Sequence, residues 1–254
     1  MKKIVISFCT SLLFVPLSIA QLQVDKDSIT VNTCNTSHFN FKSLIVPVAL
    51  IGYGVIGIES DQIQLFNKQI RDEVTEDIDE KISIDDFSQY APAVSVYALN
   101  LAGVKGKNNM HDRSVILATS YVILSSTVLG LKSITKVERP DGSSKNSFPS
   151  GHTATAFAGA EFLRQEYGDQ SIWYGIAGYA VATGTGLFRM YNNRHWLTDV
   201  AAGAGIGILS TKIAYWVNPY LTRKIFGEAE RKSTVIFTPI YDGQHVGVGM
   251  VKTF

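Results

Sequence analysis

At 254 residues, with 46% apolar side chains, 21 glycines and only 7 prolines, the chain is core-rich rather than disordered. It is long enough for one large domain or two small ones. Its formal charge is +1, without a basic run or interleaved aromatic and basic residues, so composition gives no footprint for nucleic acid.

The chain opens Met1-Lys2-Lys3, runs apolar from Ile4 to Ile19, and ends that stretch with Ser18-Ile19-Ala20 before Gln21. A basic start, a short apolar run and small closing residues describe a secretory signal peptide over residues 1–20; the competing reading is an uncleaved anchor helix. Cys9 would leave with the signal and Cys34 would stand alone, so no intrachain disulfide is expected in the mature chain.

Residues 21–89 divide into a polar leader, an apolar segment and an amphipathic helix. The apolar segment, 43–58, carries Pro47, Gly52, Gly54 and Gly57. Over 61–84, Ile63, Phe66, Ile70, Val74 and Ile78 recur at helical spacing among charges, which predicts a helix lying on a surface or interface.

Apolar segments follow at 91–104, 114–131, 153–163, 171–188 and 200–217. Segments 114–131 and 171–188 each run 18 residues without a charge, about the length that spans a bilayer. Segment 153–163 is broken by Glu161, and 200–217 is interrupted by Lys212. Their Gly, Ala, Ser and Thr suit close helix packing in lipid, and suit buried helices of a soluble α-domain equally. Mean hydropathy is +0.11, low for a chain that is mostly membrane. The favoured reading is an all-α, membrane-associated helical bundle of about five or six helices with its core at 90–218; the alternative is a soluble or peripheral helical domain. The tail, 219–254, changes character: 234–241 and 245–254 are β-rich and meet at Asp242-Gly243, which signals a small hairpin.

Chemistry concentrates in 68 residues, from Lys132 to Asp199. Lys132 and Arg139-Pro140 come first, then Pro149-Ser150-Gly151-His152, then Arg189, His195 and Asp199. Each group falls at a helix end, and in an up-and-down bundle all of them gather at one end. Ser150-Gly151-His152 opens a helix, where free N–H groups and the helix dipole favour an anion, and Gly151 allows close approach of backbone to phosphate. His195 and Asp199 are four apart and share a helix face, so the carboxylate can hold one imidazole nitrogen while the other attacks. Taken singly, these would read as an N-cap and a surface His–Asp pair.

Order and spacing together resemble the type 2 phosphatidic acid phosphatase superfamily, which also contains bacterial acid phosphatases and vanadium haloperoxidases. Lys132 with Arg139-Pro140 resembles its first motif, Pro149-Ser150-Gly151-His152 its second, and Arg189 with His195 and Asp199 its third, over roughly residues 90–218. Phe188 stands where the family often has serine. The resemblance implies His195 as the nucleophile of a phosphohistidine intermediate, His152 as general acid and Asp199 as the orienting carboxylate. It assigns phosphate binding to Lys132, Arg139, Ser150, Gly151 and Arg189. No metal and no cofactor is expected.

The function so implied is metal-independent hydrolysis of a lipid phosphate or pyrophosphate, of the undecaprenyl pyrophosphate, lipid A phosphate or phosphatidic acid type. The partners expected are that lipid and the membrane, not nucleic acid. Alternatives are a soluble periplasmic acid phosphatase, a lipid phosphotransferase, a vanadium haloperoxidase and a non-catalytic phosphate-lipid binder. Lys105, Lys107, Arg113, Arg164, Arg223 and Lys224 at the far end predict a cytoplasmic face there, with the site facing the periplasm of a bacterial inner membrane. One conflict follows. If the signal is cleaved and 43–58 also spans, counting crossings puts the site on the cytoplasmic side. A re-entrant or peripheral 43–58 would remove it.

Overall fold

The computed structural model describes residues 41–75, 83–226, 234–241 and 246–253. The expected signal peptide, the leader up to residue 40 and the Asp242-Gly243 turn lie outside the described residues. A 3-10 turn (Phe41–Leu44) leads into α1 (Ile45–Glu59), then α2 (Asp61–Thr75), α3 (Ile84–Ser88), α4 (Ala91–Leu101), α5 (Met110–Thr135), α6 (Gly151–Tyr167), α7 (Ile172–Tyr191) and α8 (Leu197–Phe226). Strands β1 (Thr234–Tyr241) and β2 (Val246–Thr253) pair antiparallel, Thr234 opposite Thr253.

Local chemistry sets the helix ends that matter. Asn109 caps α5: its Oδ1 accepts the Asp112 N–H at 2.8 Å and its Nδ2 donates to the Asp112 carboxylate at 3.1 Å. The helix stops at Lys136, whose φ of 48° turns the chain out of the helix. Ser150 caps α6, with Oγ accepting the Thr153 N–H at 3.4 Å and lying 2.8 Å from Thr153 Oγ1.

Helix α6 is the hub, packed by α4, α5, α7 and α8. Ala154, Ala156, Ala158 and Ala160 are wholly buried, so neighbours meet its backbone rather than long side chains. A Cβ on Gly203 of α8 would reach 2.5 Å from the Ser150 carbonyl, and one on Gly207 would strike the Ala154 carbonyl. Helix α1 lies on the other flank of α8, with Gly54 and Gly57 against Ala202 and Thr198, and Gly205 against the Pro47 carbonyl. Numbers rise along α1 as they fall along α8, so the two are antiparallel.

Three helical stretches are long and apolar enough to cross a membrane: Phe41–Glu59, Met110–Thr135 and Leu197–Thr222. Val48, Val55 and Ile56 on α1 and Val122, Leu129 and Ile134 on α5 point apolar surface outward, as lipid-facing helices do. This favours an integral membrane protein over the soluble alternative. Segment 171–188 is not among the three; it lacks charge, but its glycines, threonines and tyrosines keep hydropathy low.

Residues 43–58 lie in one continuous helical stretch, long and apolar enough to cross a membrane: Pro47 sits in the first turn of α1, where its missing N–H costs nothing, and the glycines serve packing. Glu161, the charge that interrupts the apolar run 153–163, lies within α6 and is paired. Its buried carboxylate accepts from Arg164 at 2.7 and 2.8 Å, from Lys212 Nζ at 2.9 Å and from the Tyr179 hydroxyl.

Substituting Gly207→Ala is expected to push α8 off α6. Overpacking at backbone contact costs about 1–3 kcal/mol, more than the roughly 1 kcal/mol gained in helix propensity. A lowered thermal midpoint of the detergent-solubilised protein checks it; an unchanged or raised midpoint would contradict the close approach.

Candidate active site

The end of α5, the start of α6, the end of α7 and the start of α8 meet. The Ser150 N–H donates to the Asp199 carbonyl at 3.0 Å, tying the α6 cap to the first turn of α8. Lys132, in the last turn of α5, donates through Nζ to the Asn146 carbonyl and reaches the Ser147 carbonyl at 3.4 Å. Arg139, in the following loop, donates from Nε to Asn146 Oδ1 at 3.0 Å.

His195 is 3% exposed and Asp199 1%. His195 Nδ1 lies 3.5 Å from Asp199 Oδ2, the same carboxylate oxygen that accepts from Ser147 Oγ and from the Trp196 N–H at 2.9 Å. The carboxylate is therefore fixed by two other donors and presents itself to one imidazole nitrogen, leaving Nε2 outside the pair. Ser147 Oγ also lies 3.5 Å from His195 Nδ1.

Arg189, 8% exposed, donates from NH1 to Asp85 of α3 and lies 3.9 Å from Asp86. Asp85 also accepts from Asn192 Nδ2 at 2.9 Å. Arg189 Nε is buried without a hydrogen-bond partner among the described residues. His152 Nε2 is 2.9 Å from Asp86 Oδ1. A Cβ on Gly151 would meet only Val128, at 3.7 Å, so packing does not require glycine there. Phe188 stacks edge-on with Tyr191, 6.2 Å between centroids.

Charges crowd one another. Burial pushes His195 down to about 4, against the pull of Asp199, and Lys132 and Arg189 push the same way as burial. Burial, then Arg189 and Arg194, lower Arg139, while Asp141 and Asp199 raise it. For His152, burial and Arg189 lower the value; Asp86 and Asp85 oppose them. The donor atoms of Asp85, Asp86 and His152 lie within 4.8 Å of one another, a spacing that metal ligands can have. Arg189 occupies the cationic position between the two carboxylates, which disfavours a metal ion there.

All eight residues singled out in the sequence lie at this end of the bundle. Four that were not singled out join them: Asn146 and Ser147, which hold Lys132 and Asp199, and Asp85 and Asp86 on α3. The pattern of 61–84 gave no reason to bring α3 over a motif more than 60 residues away. Behind Asp199 lies a cavity of about 230 Å³, lined by Gln64, Asn67, Lys68, Glu138 and Trp196 among others. Arg194 pairs with Asp141 at 3.1 Å, joining the loops of the first and third motifs.

Residues 113–223 match the family model of the PAP2 superfamily. Among curated proteins the chain is 40% identical to a lipid A 1-phosphatase of Porphyromonas gingivalis over 141 residues, 55% of this chain and 32% of that one. It is 35% identical to the bacitracin transport permease protein BcrC of Bacillus licheniformis over 77 residues, 30% of this chain and 36% of that one. The chain thus spans about a third of the length of each. Solved structures similar to it are Aquifex aeolicus LpxE and a transmembrane PAP2-type phosphatidylglycerolphosphate phosphatase of Bacillus subtilis. The first has TM-score 0.46 and 21% identity over 59% of this chain and 94% of that one; the second has 0.42 and 20% over 71% and 97%.

The depressed His195 value has a sign. Below the ordinary value of 6.5 an unfolded chain takes up a proton that the folded site refuses until about pH 4. His195 thus contributes stability that is full above pH 6.5 and is lost as pH falls toward 4. Histidine NMR of the solubilised protein should find this ring neutral at pH 5.5. The part of the acid destabilisation due to it should vanish in His195→Gln.

Proposed function

From a chain whose residues 113–223 match the PAP2 superfamily model, we propose a membrane lipid phosphatase that works through a phosphohistidine. The observation that carries the proposal is the buried His195–Asp199 pair, seated on the Ser150 cap and within electrostatic reach of Lys132 and Arg189. In this reading the neutral imidazole attacks phosphorus through Nε2, while Asp199 holds Nδ1–H and stabilises the charge that develops. Lys132, Arg139 and Arg189 gather the equatorial oxygens, the guanidinium groups acting as planar forks. The first-turn N–H groups of α6 complete the cradle, and Gly151, which packing does not need, leaves room for the phosphate. His152 protonates the leaving oxygen and then takes a proton from the attacking water. Each oriented donor is worth about 3 kcal/mol of barrier by analogy with oxyanion holes.

A lipid suits the surroundings. Ile84, Phe87 and Tyr90 expose apolar surface on and just after α3, the helix whose Asp86 and Asp85 contact His152 and Arg189. A leaving group protonated by His152 departs past that surface, where an acyl or prenyl chain would be solvated. The name of the Porphyromonas relative supports a phosphorylated glycolipid; undecaprenyl pyrophosphate and phosphatidic acid fit the same chemistry. The exposed apolar faces of α1 and α5 weigh against the soluble acid-phosphatase alternative.

A periplasm-facing site has a consequence. Because α1 runs antiparallel to α8, residue 41 lies at the end away from the site, on the cytoplasmic side. A signal cleaved after Ala20 would leave Gln21 outside, so cleavage and an outward site exclude each other if α1 crosses.

Phosphate release by solubilised membranes, without added metal, from lipid A, undecaprenyl pyrophosphate, phosphatidic acid and an aryl phosphate is the test. Release from at least one lipid, abolished by His195→Ala and reduced roughly 10²–10³-fold by Arg189→Lys, is expected. Near-normal turnover by His195→Ala would sink the mechanism. Release that needs a second lipid as acceptor would replace hydrolysis with transfer.

A further inference from the structure

The short helix α3 brings two carboxylates onto groups that phosphate chemistry would use. Asp85 is buried and committed to Arg189 and Asn192. Asp86 differs: its side chain is 55% exposed, and its Oδ1 is 2.9 Å from Nε2 of His152, whose side chain is 31% exposed. We propose that Asp86 is the positioning residue of the general acid, forming with His152 a second His–carboxylate pair opposite His195–Asp199. The inference rests on the phosphatase reading above.

The two pairs use opposite ring nitrogens. Asp199 takes Nδ1 of His195 and leaves Nε2 for phosphorus. Asp86 takes Nε2 of His152, which fixes Nε2–H and leaves Nδ1 as the nitrogen that loses a proton to the leaving oxygen. The step balances. As the His195 Nε2 lone pair forms the P–N bond, the P–O bond to the leaving group breaks and that oxygen takes the Nδ1 proton of His152. Neutral His152 then accepts a proton from the water that displaces His195 from phosphorus. An acid must be charged before the step, and the groups facing His152 divide on this. Arg189 of α7 opposes the imidazolium; Asp86 and Asp85 of α3 favour it. Asp86 is the one in direct hydrogen-bond contact.

Two readouts separate this role from simple support of the fold. The first needs no turnover: full-length protein with ¹⁵N-labelled histidine in detergent, His152 assigned by its loss in His152→Gln. In the wild type Nε2 should carry the proton of the neutral ring. In Asp86→Asn the His152 value should fall by about 1 unit, the lower end for an opposite charge at this range, with recovery in Asp86→Glu. The second is leaving-group dependence. Asp86→Asn should slow phosphatidic acid hydrolysis about 10–10²-fold, with KM little changed, while hydrolysis of p-nitrophenyl phosphate, whose leaving group needs no proton, stays within about 2-fold. The alkaline limb of the phosphatidic acid profile should move to lower pH, because the acid loses its proton earlier. An unchanged His152 titration, equal losses on both esters, or faster turnover in Asp86→Asn would each overturn the proposal; the last would make Asp86 a competitor for the acid. Loss of the phosphatase reading is a separate event, seen as His195→Ala retaining activity, and leaves the titration result standing.

Discussion

Helix α8 comes to backbone contact with α6 at Gly203 and Gly207, and the placement of the candidate site depends on that contact. Gly203 and Gly207 let α8 rest on the carbonyls of Ser150 and Ala154. At this separation the Ser150 N–H bonds the Asp199 carbonyl, so the N-terminus of one helix is pinned to the first turn of the other. An anion-favouring helix start and a His–carboxylate pair are thereby placed side by side by backbone, which is stiffer than any side-chain bridge. Helix α1 repeats the device on the other flank of α8, with Gly54 and Gly57 against Ala202 and Thr198. Small residues do this well in lipid, where helices gain little from hiding apolar surface and much from backbone approach.

Electrostatics at this end are in tension without a ligand. Arg189 and Arg194 disfavour the charge on Arg139, Lys132 and Arg189 disfavour a charge on His195, and the protein answers with carboxylates and carbonyls. Asp85 takes Arg189, Asp141 takes Arg194, and the 146–147 backbone takes Lys132. A phosphate dianion would relieve the crowding directly, which is why a cluster that looks costly as a fold is sensible as a site. The unpartnered Nε of Arg189 is where that relief is visibly incomplete.

Much of this was legible in the sequence because motif positions coincide with helix ends. Lys132, Ser150, Arg189 and His195 each fall within a turn of a boundary, and an alternating bundle has only two ends to put them at. What was not legible depended on distance rather than pattern. Asp85 and Asp86 come just after the charged stretch 61–84, whose periodicity described a surface helix, and nothing local says that α3 folds over a motif near residue 150. Ser147 reads as one more loop serine until its hydroxyl is found on Asp199. The helix α2 shows the same limit at one position: Ile63, Ile70 and Val74 are half-buried as periodicity implies, but Asn67 is the buried residue among them, bonded to Thr198, while Phe66 stays exposed.

The two His–carboxylate pairs differ in wetness, and the difference fits the tasks proposed for them. A nucleophilic imidazole must be neutral, so it gains from burial, which suppresses the imidazolium; His195 and Asp199 are nearly inaccessible. Its carboxylate matters only once phosphorus is bound and charge appears on the ring, and burial strengthens that interaction at the moment it is needed. An acid has the opposite requirement. It must be charged beforehand, release a proton to a departing group and recover one from water in each cycle. A half-exposed carboxylate serves that cycle: it supports the imidazolium without sealing it, and it stands on a short helix whose apolar neighbours face the route a lipid would leave by. Burying Asp86 as deeply as Asp199 would strengthen the pair and shut out the water that the second half of the reaction consumes.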